Sequence, residues 1–289
     1  MVVVHSMVGD IEAGETEWGD QDAMMARVKA PYDGGSSNIR VVVKIRPPNE
    51  REKALEGGVI VDVSDDGQQV IVTGRPPFSY DVAFPMATTQ LEVFEKIGVD
   101  IVTTAFNGYN ASMFAYGQTS SGKSFSMMGV RGTALVGLIP RISNLLFYCI
   151  KGTPEHEFFV EGSYLEIYNE KLRDLLASQG GDDLKVRENP QLGVHVAGLT
   201  KHHVDTADNV EKIIEDGTGH RTVAATKYNS ESSRSHAVFE LHIQQKYKDD
   251  ISGEEMQSKT KIALIDLAGS ERSDKLGSKG KALQEGNNI

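Results

Sequence analysis

The stretch that decides the fold is FAYGQTSSGKSFSMMG, residues 114–129. Its central part, Gly117 to Ser124, fits the pattern G-x-x-x-x-G-K-[ST] and lies between a predicted strand and a predicted helix. The glycines let the backbone curl so that N–H groups face phosphate oxygens, the lysine reaches the β- and γ-phosphates, and the last serine ligates Mg²⁺. The stretch therefore predicts a nucleotide-binding loop made of Gly117, Gln118, Thr119, Ser120, Ser121, Gly122, Lys123 and Ser124.

Strand and helix patterns alternate on both sides of this loop. Apolar or β-branched runs bounded by turn residues predict strands over 38–47, 111–116, 156–168, 184–200, 236–247 and 260–269, with a hairpin over 59–74. Helical spacing of apolar residues predicts helices over 88–106, capped by Thr88 or Thr89, 138–150 and 206–217, and a polar hairpin loop covers 246–259. The alternation predicts an α/β sheet layered by helices.

Composition narrows the class of protein. The chain has 289 residues, of which 39% are hydrophobic and 25% charged, as expected of a soluble protein with one large or two small domains. No apolar run reaches membrane-spanning length, and the N-terminus lacks the basic region of a signal peptide. Cys149 is the only cysteine, which favours a reducing setting. The net charge of −11 argues against non-specific nucleic-acid binding.

The first 37 residues differ in composition from the rest of the chain. They carry seven acidic against two basic residues and end in Gly-Gly-Ser-Ser at 34–37. This composition predicts a disordered or loosely attached extension over 1–37. The alternative is that Trp18, the only tryptophan, docks the segment onto the domain.

Two segments further along the chain narrow the chemistry, because the loop alone leaves GTPases, kinases, helicases and motors open. The segment LIDLAGSE (264–271) ends an apolar strand with Asp266, where an acid holds Mg²⁺ through water, and Gly269 offers an N–H to the γ-phosphate. The segment NSESSRSH (229–236) is rich in hydroxyls and carries one arginine. No N-K-x-D guanine motif occurs, which favours ATP over GTP.

GQTSSGKS, NSESSRSH and DLAGSE, in this order, resemble the nucleotide-sensing motifs of the kinesin motor domain. NGYNASMFAYGQT (107–119) and YLEIYNEKLRDLL (164–176) are also similar to that family. RTVAAT (221–226) resembles the class-three, axonal-transport type. The similarity runs from about residue 38 to 289 and implies a P-loop NTPase fold of three α/β/α layers, with a central mixed β-sheet flanked by helices.

The resemblance implies roles for individual residues. The adenine would be lined by Lys44, Arg46, Pro47 and Phe125. Lys44 stands where the family usually has an arginine, which weakens planar stacking on the base.

The switch I loop of that family corresponds here to Asn229, Ser232, Ser233, Arg234 and Ser235. Ser235 would approach Mg²⁺ and Ser233 the attacking water. In the segment that corresponds to switch II of that family, Gly269 would sense the γ-phosphate. A salt bridge between Arg234 and Glu271 would close the site, with Glu271 as the proton acceptor. The implied catalytic residues are Lys123, Ser233, Arg234, Gly269 and Glu271, and the implied Mg²⁺ residues are Ser124, Ser235 and Asp266.

The implied function is that of an ATP-dependent microtubule motor domain in the cytoplasm, on the cytoskeleton, with cargo and self-association determined outside this chain. Two alternatives stay open. One is a non-motile fragment that holds nucleotide or tubulin without productive ATPase, and the other is a P-loop ATPase unrelated to filaments. The discriminating observation is whether microtubules bind the protein and raise its ATP turnover.

The resemblance also sets expectations for the C-terminal part of the chain and for the surface that faces tubulin. The chain closes on QEGNNI, where the main switch II helix of the family begins, so we expect that helix, a further strand inside the sheet, the last helices and the neck linker to be missing. Poor stability would follow from unpaired strand edges. The expected tubulin-facing charges, which could equally be solvated surface charges, are Lys185, Arg187, Lys201, His202, His203, Arg272, Lys275, Lys279 and Lys281.

Overall fold

The computed structural model describes residues 17–30, 39–54, 58–178, 181–190, 193–228, 234–248 and 252–271. The strands in these ranges are β1 (Val42–Lys44), β2 (Val61–Val63), β3 (Gln69–Val72), β4 (Phe78–Ser79), β5 (Val82–Phe84), β6 (Ala111–Ala115), β7 (Glu157–Tyr168), β8 (Lys171–Asp174), β9 (Asp182–Asn189), β10 (Gly193–Ala197), β11 (His202–His203), β12 (His236–Lys248) and β13 (Glu255–Asp266). The helices are α1 (Gln21–Lys29), α2 (Glu50–Ala54), α3 (Gln90–Val93), α4 (Val99–Phe106), α5 (Lys123–Met127), α6 (Leu138–Lys151) and α7 (Ala207–Tyr228), and a π-helical turn (Phe94–Gly98) joins α3 to α4.

Eight strands form one mixed sheet in the order β10-β9-β8-β7-β12-β13-β6, with β11 paired to β7. Its one parallel pair is β13 with β6, and the register of that pair places Asp266 opposite Ala115. Because parallel strands end at the same edge of a sheet, the glycine loop after β6 and the acid at the end of β13 meet there. This pairing positions the site.

Two predicted strand boundaries differ from the structure. The run 184–200 is a hairpin of β9 and β10, because Pro190 has no N–H for a ladder and Gly193 takes a φ of 65°. The polar loop over 246–259 is shorter than predicted, since the β12–β13 pairing continues as far as Lys248 opposite Glu255. Polar side chains on an exposed ribbon are compatible with pairing, so polarity alone does not mark a loop.

Two smaller sheets lie before the central one in the sequence. β1 pairs in parallel with β5, and β2, β3 and β4 form a three-stranded antiparallel sheet. The predicted hairpin over 59–74 is confirmed, with Gly67 at a φ of 67° in its turn. A small apolar cluster joins these sheets and consists of Val43, Ile45, Val70 and Ala83.

The helices follow the predicted caps more closely than the predicted ends. Thr89 caps α3 through a capping box with Glu92, as the sequence predicts. Pro140 lies in the first turn of α6. The predicted helix over 206–217 extends instead to Tyr228, because Gly217 does not end it. A Cβ at this glycine would lie 2.4 Å from the ring of Tyr164, so the position requires glycine for close helix–strand packing.

The main apolar core lies between the central sheet and the helices α4, α6 and α7. Its fully buried side chains include Phe94, Ile142, Leu145, Leu146, Ile214, Phe239, Leu241 and Ile262. Full burial of one such side chain stabilises the fold by about 1.5–3 kcal/mol. In the part of the chain that the structure describes, no helix combines the length and the apolar character needed to cross a bilayer.

Residues 17–30 contradict the prediction of a disordered or loosely attached segment. Asp20 caps α1 by accepting a hydrogen bond from the Ala23 N–H at 3.0 Å. Met24 and Val28, one turn apart, are buried in the main core against α4 and α6. Met24 and Val28 alone are too few to show a helical period in the sequence, so the composition of 1–37 gave no sign of this helix. The rest of 1–37 lies outside the described residues.

Polar contacts hold this segment at both ends. Arg141, which is 1% exposed, donates to the Glu17 carbonyl, and its guanidinium carbon lies 5.9 Å from the Trp18 ring centroid. Arg27 pairs with Asp100 of α4 at 3.2 Å. Trp18 is therefore a docking residue, the alternative that the sequence left open.

Candidate functional site

The glycine loop joins β6 to α5 and takes left-handed backbone conformations at two positions. Ser120 has a φ of 63°, and Gly122 caps α5 with a φ of 92°. A left-handed residue turns successive N–H groups toward a common point, which is how such loops bind anions. The left-handed backbone at Gly122 favours glycine there, and the loop conformation is compatible with the predicted phosphate binding.

The side chain of Lys123 binds back to the glycine loop that precedes it. It is 8% exposed, and its Nζ donates to the carbonyl oxygens of Gly117 at 2.9 Å and Gln118 at 3.1 Å. Burial lowers the pKa of Lys123, while the charges of Asp266 and Glu271 act to raise it. The ammonium group is therefore held at the loop, where a phosphate chain would meet it.

Ser124 and Asp266 form the candidate Mg²⁺ site. The Ser124 hydroxyl donates to Asp266 Oδ2 at 2.5 Å. The other carboxylate oxygen, Oδ1, is buried and finds no hydrogen-bond partner among the residues that the structure describes. Burial raises the pKa of Asp266, against the hydrogen bond from Ser124 and the charge of Arg221. A hydroxyl beside a carboxylate with a spare buried oxygen suits Mg²⁺, which prefers oxygen ligands.

The segment after β13 contacts the loop directly. The Leu267 N–H donates to the Ala115 carbonyl at 3.2 Å and the Ser270 N–H to the Gly117 carbonyl at 3.1 Å. A Cβ on Gly269 would lie 2.4 Å from a carboxylate oxygen of Glu271. The absence of a side chain at Gly269 therefore allows the Glu271 carboxylate to approach the backbone.

Glu271 binds Thr119 rather than the predicted Arg234. Its carboxylate accepts hydrogen bonds from the Thr119 N–H at 2.7 Å and from the Thr119 hydroxyl. Partial burial acts to raise the pKa of Glu271, but these bonds and the charge of Lys123 outweigh it and hold the pKa below its usual value. The expected salt bridge between Arg234 and Glu271 is thus replaced, because the loop offers the carboxylate two donors and a cation.

Only the end of the predicted switch I loop is described. Asn229, Ser232 and Ser233 lie outside the described residues. Ser235 is 1% exposed, and its hydroxyl accepts a hydrogen bond from Arg221 at 3.0 Å.

His236, the residue after Ser235, links the predicted switch I loop to the predicted switch II segment. His236 Nδ1 accepts a hydrogen bond from the Ala268 N–H at 3.0 Å. Burial, together with the charge of Arg221, lowers the pKa of His236, so that the neutral ring required of an acceptor is favoured. The end of the predicted switch I loop is therefore attached to the segment that follows Asp266.

Of the four predicted adenine residues, Lys44 and Phe125 interact with residues of α3, and Arg46 interacts with α2. Lys44 is 6% exposed, and burial lowers its pKa to about 8, against the charge of Glu92. Gln90 of α3 donates to the Phe125 carbonyl at 2.7 Å. Arg46 pairs with Glu52 of α2 and donates to the Pro47 carbonyl at 3.1 Å. Arg46 is thus held by α2.

The structure describes only some of the charges that are predicted to face tubulin. Lys185 pairs with Asp183 at 2.8 Å on the β9–β10 hairpin. His203 stacks on Phe159, with ring centroids 4.7 Å apart. The residues Arg272, Lys275, Lys279 and Lys281 lie outside the described part of the chain.

Sequence reasoning missed Arg221 and Glu166 as site residues. Arg221 lies in RTVAAT and Glu166 in YLEIYNEK, two runs that served only to indicate the family. The sequence does not single out Glu166, because β7 carries three glutamates, and only the structure shows that this one is 1% exposed.

Comparison with known proteins gives a consistent result. The family model of the kinesin motor domain matches residues 44–289. Human kinesin-like protein KIF13B is 43% identical over 279 residues, which cover 88% of this chain and 15% of that protein. Kinesin-like protein unc-104 of Caenorhabditis elegans is 40% identical over 269 residues, covering 88% of this chain and 17% of that protein. These relatives fit the class-three type.

The structural comparison agrees. A solved structure described as that of a fast kinesin matches with a TM-score of 0.78 at 37% sequence identity, covering 87% of this chain and 71% of that chain. The predicted α/β fold with a central mixed sheet flanked by helices is confirmed. The chain spans less than a quarter of the length of the curated relatives that it matches.

Proposed function

Because the chain belongs to the kinesin motor-domain family, we propose that it hydrolyses ATP, with Mg²⁺, as the motor domain of a microtubule motor. The observation that carries this proposal is the meeting of Lys123, Ser124, Asp266 and Glu271 at one edge of the sheet. Residues 38–289 would form the motor domain. Cargo binding and self-association would depend on sequence outside residues 1–289.

The loop residues would bind the phosphates of ATP. The backbone N–H groups between Gly117 and Ser124 would hold the phosphate chain, and Lys123 would exchange its two carbonyl acceptors for phosphate oxygens. Ser124, Asp266 and Ser235 would hold Mg²⁺, which neutralises charge that develops on the phosphates. Phe125, with Lys44, Arg46 and Pro47, would contact the adenine.

The switch residues would orient water for hydrolysis. Phosphoryl transfer needs positioning and charge stabilisation more than covalent chemistry. The Gly269 N–H would bind the γ-phosphate, and Glu271 would leave Thr119 to pair with Arg234. Glu271 would then accept the proton of the water that Ser233 holds. Through this exchange of partners, the presence or absence of the γ-phosphate would change the contacts of both switch segments.

The filament partner would be the microtubule, so the protein would act in the cytoplasm on the cytoskeleton. The β9–β10 hairpin carries exposed Lys185 and Arg187, but it also carries Asp183 and Glu188. Its charge is therefore mixed, so the family match supports the tubulin contact more strongly than the described charges do. The net charge of −11 disfavours nucleic acid as an alternative partner.

The deciding experiment is ATP turnover with and without microtubules. It would compare the 289-residue chain, a longer form that continues into the neck region, and Lys123→Ala in each. We expect microtubules to raise turnover of the longer form, and Lys123→Ala to lower turnover about 100-fold, as the loss of a phosphate-binding charge does.

The outcomes separate the alternatives. Equal turnover with and without microtubules would contradict the motor and leave a P-loop ATPase unrelated to filaments. Binding of nucleotide or tubulin by the longer form without turnover would favour the non-motile binding fragment. Turnover that survives Lys123→Ala would show that the loop is not the catalytic site.

A further inference from the structure

Glu166 is a buried carboxylate to which the proposed hydrolysis mechanism assigns no role. It lies in the middle of β7, between Arg173 on β8 and Ala237 on β12. Its side chain is 2% exposed. A carboxylate in such a place needs paired charges, because desolvation of an unpaired ion costs several kcal/mol.

Two arginines supply that charge from different elements. Arg173 Nη1 lies 3.2 Å from Glu166 Oε2. Arg221 Nε of α7 lies 3.1 Å from Glu166 Oε1. The Arg173 side chain is 27% exposed and the Arg221 side chain 14%, so the pair with α7 is the better shielded from solvent.

Arg221 reaches past Glu166 to Ser235. Its Nη2 donates to the Ser235 hydroxyl at 3.0 Å and to the Ser235 carbonyl at 3.3 Å. The planar guanidinium allows one side chain to bind Glu166 through Nε and Ser235 through Nη2 at once. With one lone pair engaged by Arg221, the Ser235 hydroxyl is fixed in orientation.

The helix that carries Arg221 is itself held close to the sheet. Gly217 lies against the ring of Tyr164. The ring of His220 bonds to the Leu175 carbonyl, with Nδ1 2.7 Å from the oxygen. Arg221 follows directly, so its backbone is fixed by two neighbours before the side chain makes any contact.

We propose that Arg221, held by Glu166, is a positioning residue that presents the Ser235 hydroxyl to Mg²⁺ in the nucleotide-bound state. The proposal rests on the proposed ATPase function, and it adds two residues that lie outside the three nucleotide-sensing motifs. Groups that orient metal ligands commonly change metal affinity when altered, although they do not touch the metal. Arg221 and Glu166 would thus set how much Mg²⁺ the site requires.

The test measures the free Mg²⁺ concentration that half-saturates binding of a fluorescent, non-hydrolysable ATP analogue. We expect Arg221→Met to raise that concentration about tenfold, the lower end of the effect of altered partners of metal ligands. Binding of the analogue in excess chelator should change by less than about twofold, because the phosphate loop is untouched. The same variant should lower kcat more than it raises KM for ATP at limiting Mg²⁺.

Arg173→Met is the matched control, since it removes an arginine from the same carboxylate on the other side of β7. It should leave the Mg²⁺ requirement within about twofold of the unaltered chain. Arg221→Lys keeps a positive charge beside Glu166 but loses the planar guanidinium that binds Glu166 and Ser235 together. This variant should therefore fold and still raise the Mg²⁺ requirement. Melting temperatures of all forms report any general loss of structure.

Four results would overturn the proposal. One is an equal Mg²⁺ requirement in Arg221→Met and Arg173→Met. Another is that Arg221→Met loses binding of the analogue in excess chelator to the same degree as it loses melting temperature. That result would mean that Arg221 has a structural role alone. The third is absence of nucleotide binding by the unaltered chain, which refutes the proposed function as well. The fourth is an unchanged Mg²⁺ requirement in both Arg221→Lys and Arg221→Met, with normal nucleotide binding and turnover. That result would refute the positioning role only.

Discussion

The Ser124 hydroxyl donates to Asp266 Oδ2 at 2.5 Å, although 142 positions separate these residues in sequence. The contact exists because β6 and β13 are parallel neighbours and place Asp266 opposite Ala115. A single strand pairing therefore assembles the two halves of the candidate Mg²⁺ site. Chemistry that depends on this site should respond to changes at either half.

Asp266→Asn should raise the half-saturating Mg²⁺ concentration for ATP turnover about 10- to 100-fold. The amide keeps the shape but loses the charge that attracts the cation. Stability should not fall, because burial raises the pKa of Asp266 and the charged form is therefore destabilising at neutral pH. Turnover against Mg²⁺ and thermal melting give the two measurements. Glu255→Gln, at the exposed start of the same strand, is the control.

Gly269→Ala should separate catalysis from folding. The added Cβ would meet two carboxylate oxygens of Glu271, at 2.4 and 2.7 Å, and the Thr119 hydroxyl oxygen at 2.5 Å. All three are ends of flexible side chains, so they can move and the fold should remain. ATP turnover should fall about 100-fold, because the N–H proposed to bind the γ-phosphate and the Glu271 carboxylate would both be displaced. An unfolded variant, or one with full turnover, would contradict this account.

Val28→Asp should detach α1 from the domain. Val28 is 0% exposed in the main core, and an unpaired charge there is destabilising by several kcal/mol. Trp18 is the only tryptophan, so its fluorescence reports whether the segment stays against Arg141. We expect a red-shifted emission in Val28→Asp and no shift in Ala26→Asp, which places the same charge on the exposed face. Identical spectra in both variants would mean that α1 does not depend on this contact.

The sequence predicts those features that depend on near neighbours. The glycine loop, the hairpin at Gly67 and the Thr89 cap each follow from a few adjacent residues, and the structure contains them. Features that depend on distant partners were missed. Gly217 indicates a helix end until Tyr164 is known to lie against it.

The same reason explains what the motifs do not contain. Glu166 and Arg221 are 55 positions apart, and nothing in either local sequence indicates that they meet. The bond between Glu271 and Thr119 spans 152 positions and replaces a pairing that the family resemblance implied. A local motif specifies neither contact, because each depends on which distant segments the fold brings together.

Lys44→Met should stabilise the protein at neutral pH. The pKa of Lys44 is about 8 in the folded state because of burial, against 10.5 as the reference value. Below pH 8 both states bind the proton, and the buried charge costs up to about 3 kcal/mol. Between pH 8 and 10.5 only the unfolded state binds it, so the unfolding free energy of the unaltered chain rises with pH.

The measurement is urea unfolding of both forms at pH 7 and pH 10. Other groups that titrate in this range, such as Cys149, are common to both forms and cancel in the difference. The advantage of Lys44→Met should therefore shrink as the pH rises. A constant difference between the two forms at both pH values would show that the Lys44 charge is not desolvated.

Gly129→Ala should destabilise the domain far more than Gly132→Ala, although both glycines lie in the loop between α5 and α6. Gly129 has a φ of 66° and Gly132 a φ of 69°, so each substitution imposes left-handed strain, about 1–2 kcal/mol. A Cβ at Gly129 would also lie 2.0 Å from the Leu135 carbonyl oxygen and 2.4 Å from the Gly137 nitrogen, whereas Gly132 has open space. Backbone atoms cannot yield without moving the loop that follows the phosphate-binding helix. We expect a loss of about 4 kcal/mol for Gly129→Ala in urea unfolding, in the range that marks a specific steric cause. Equal losses for the two variants would show that the loop re-forms without cost.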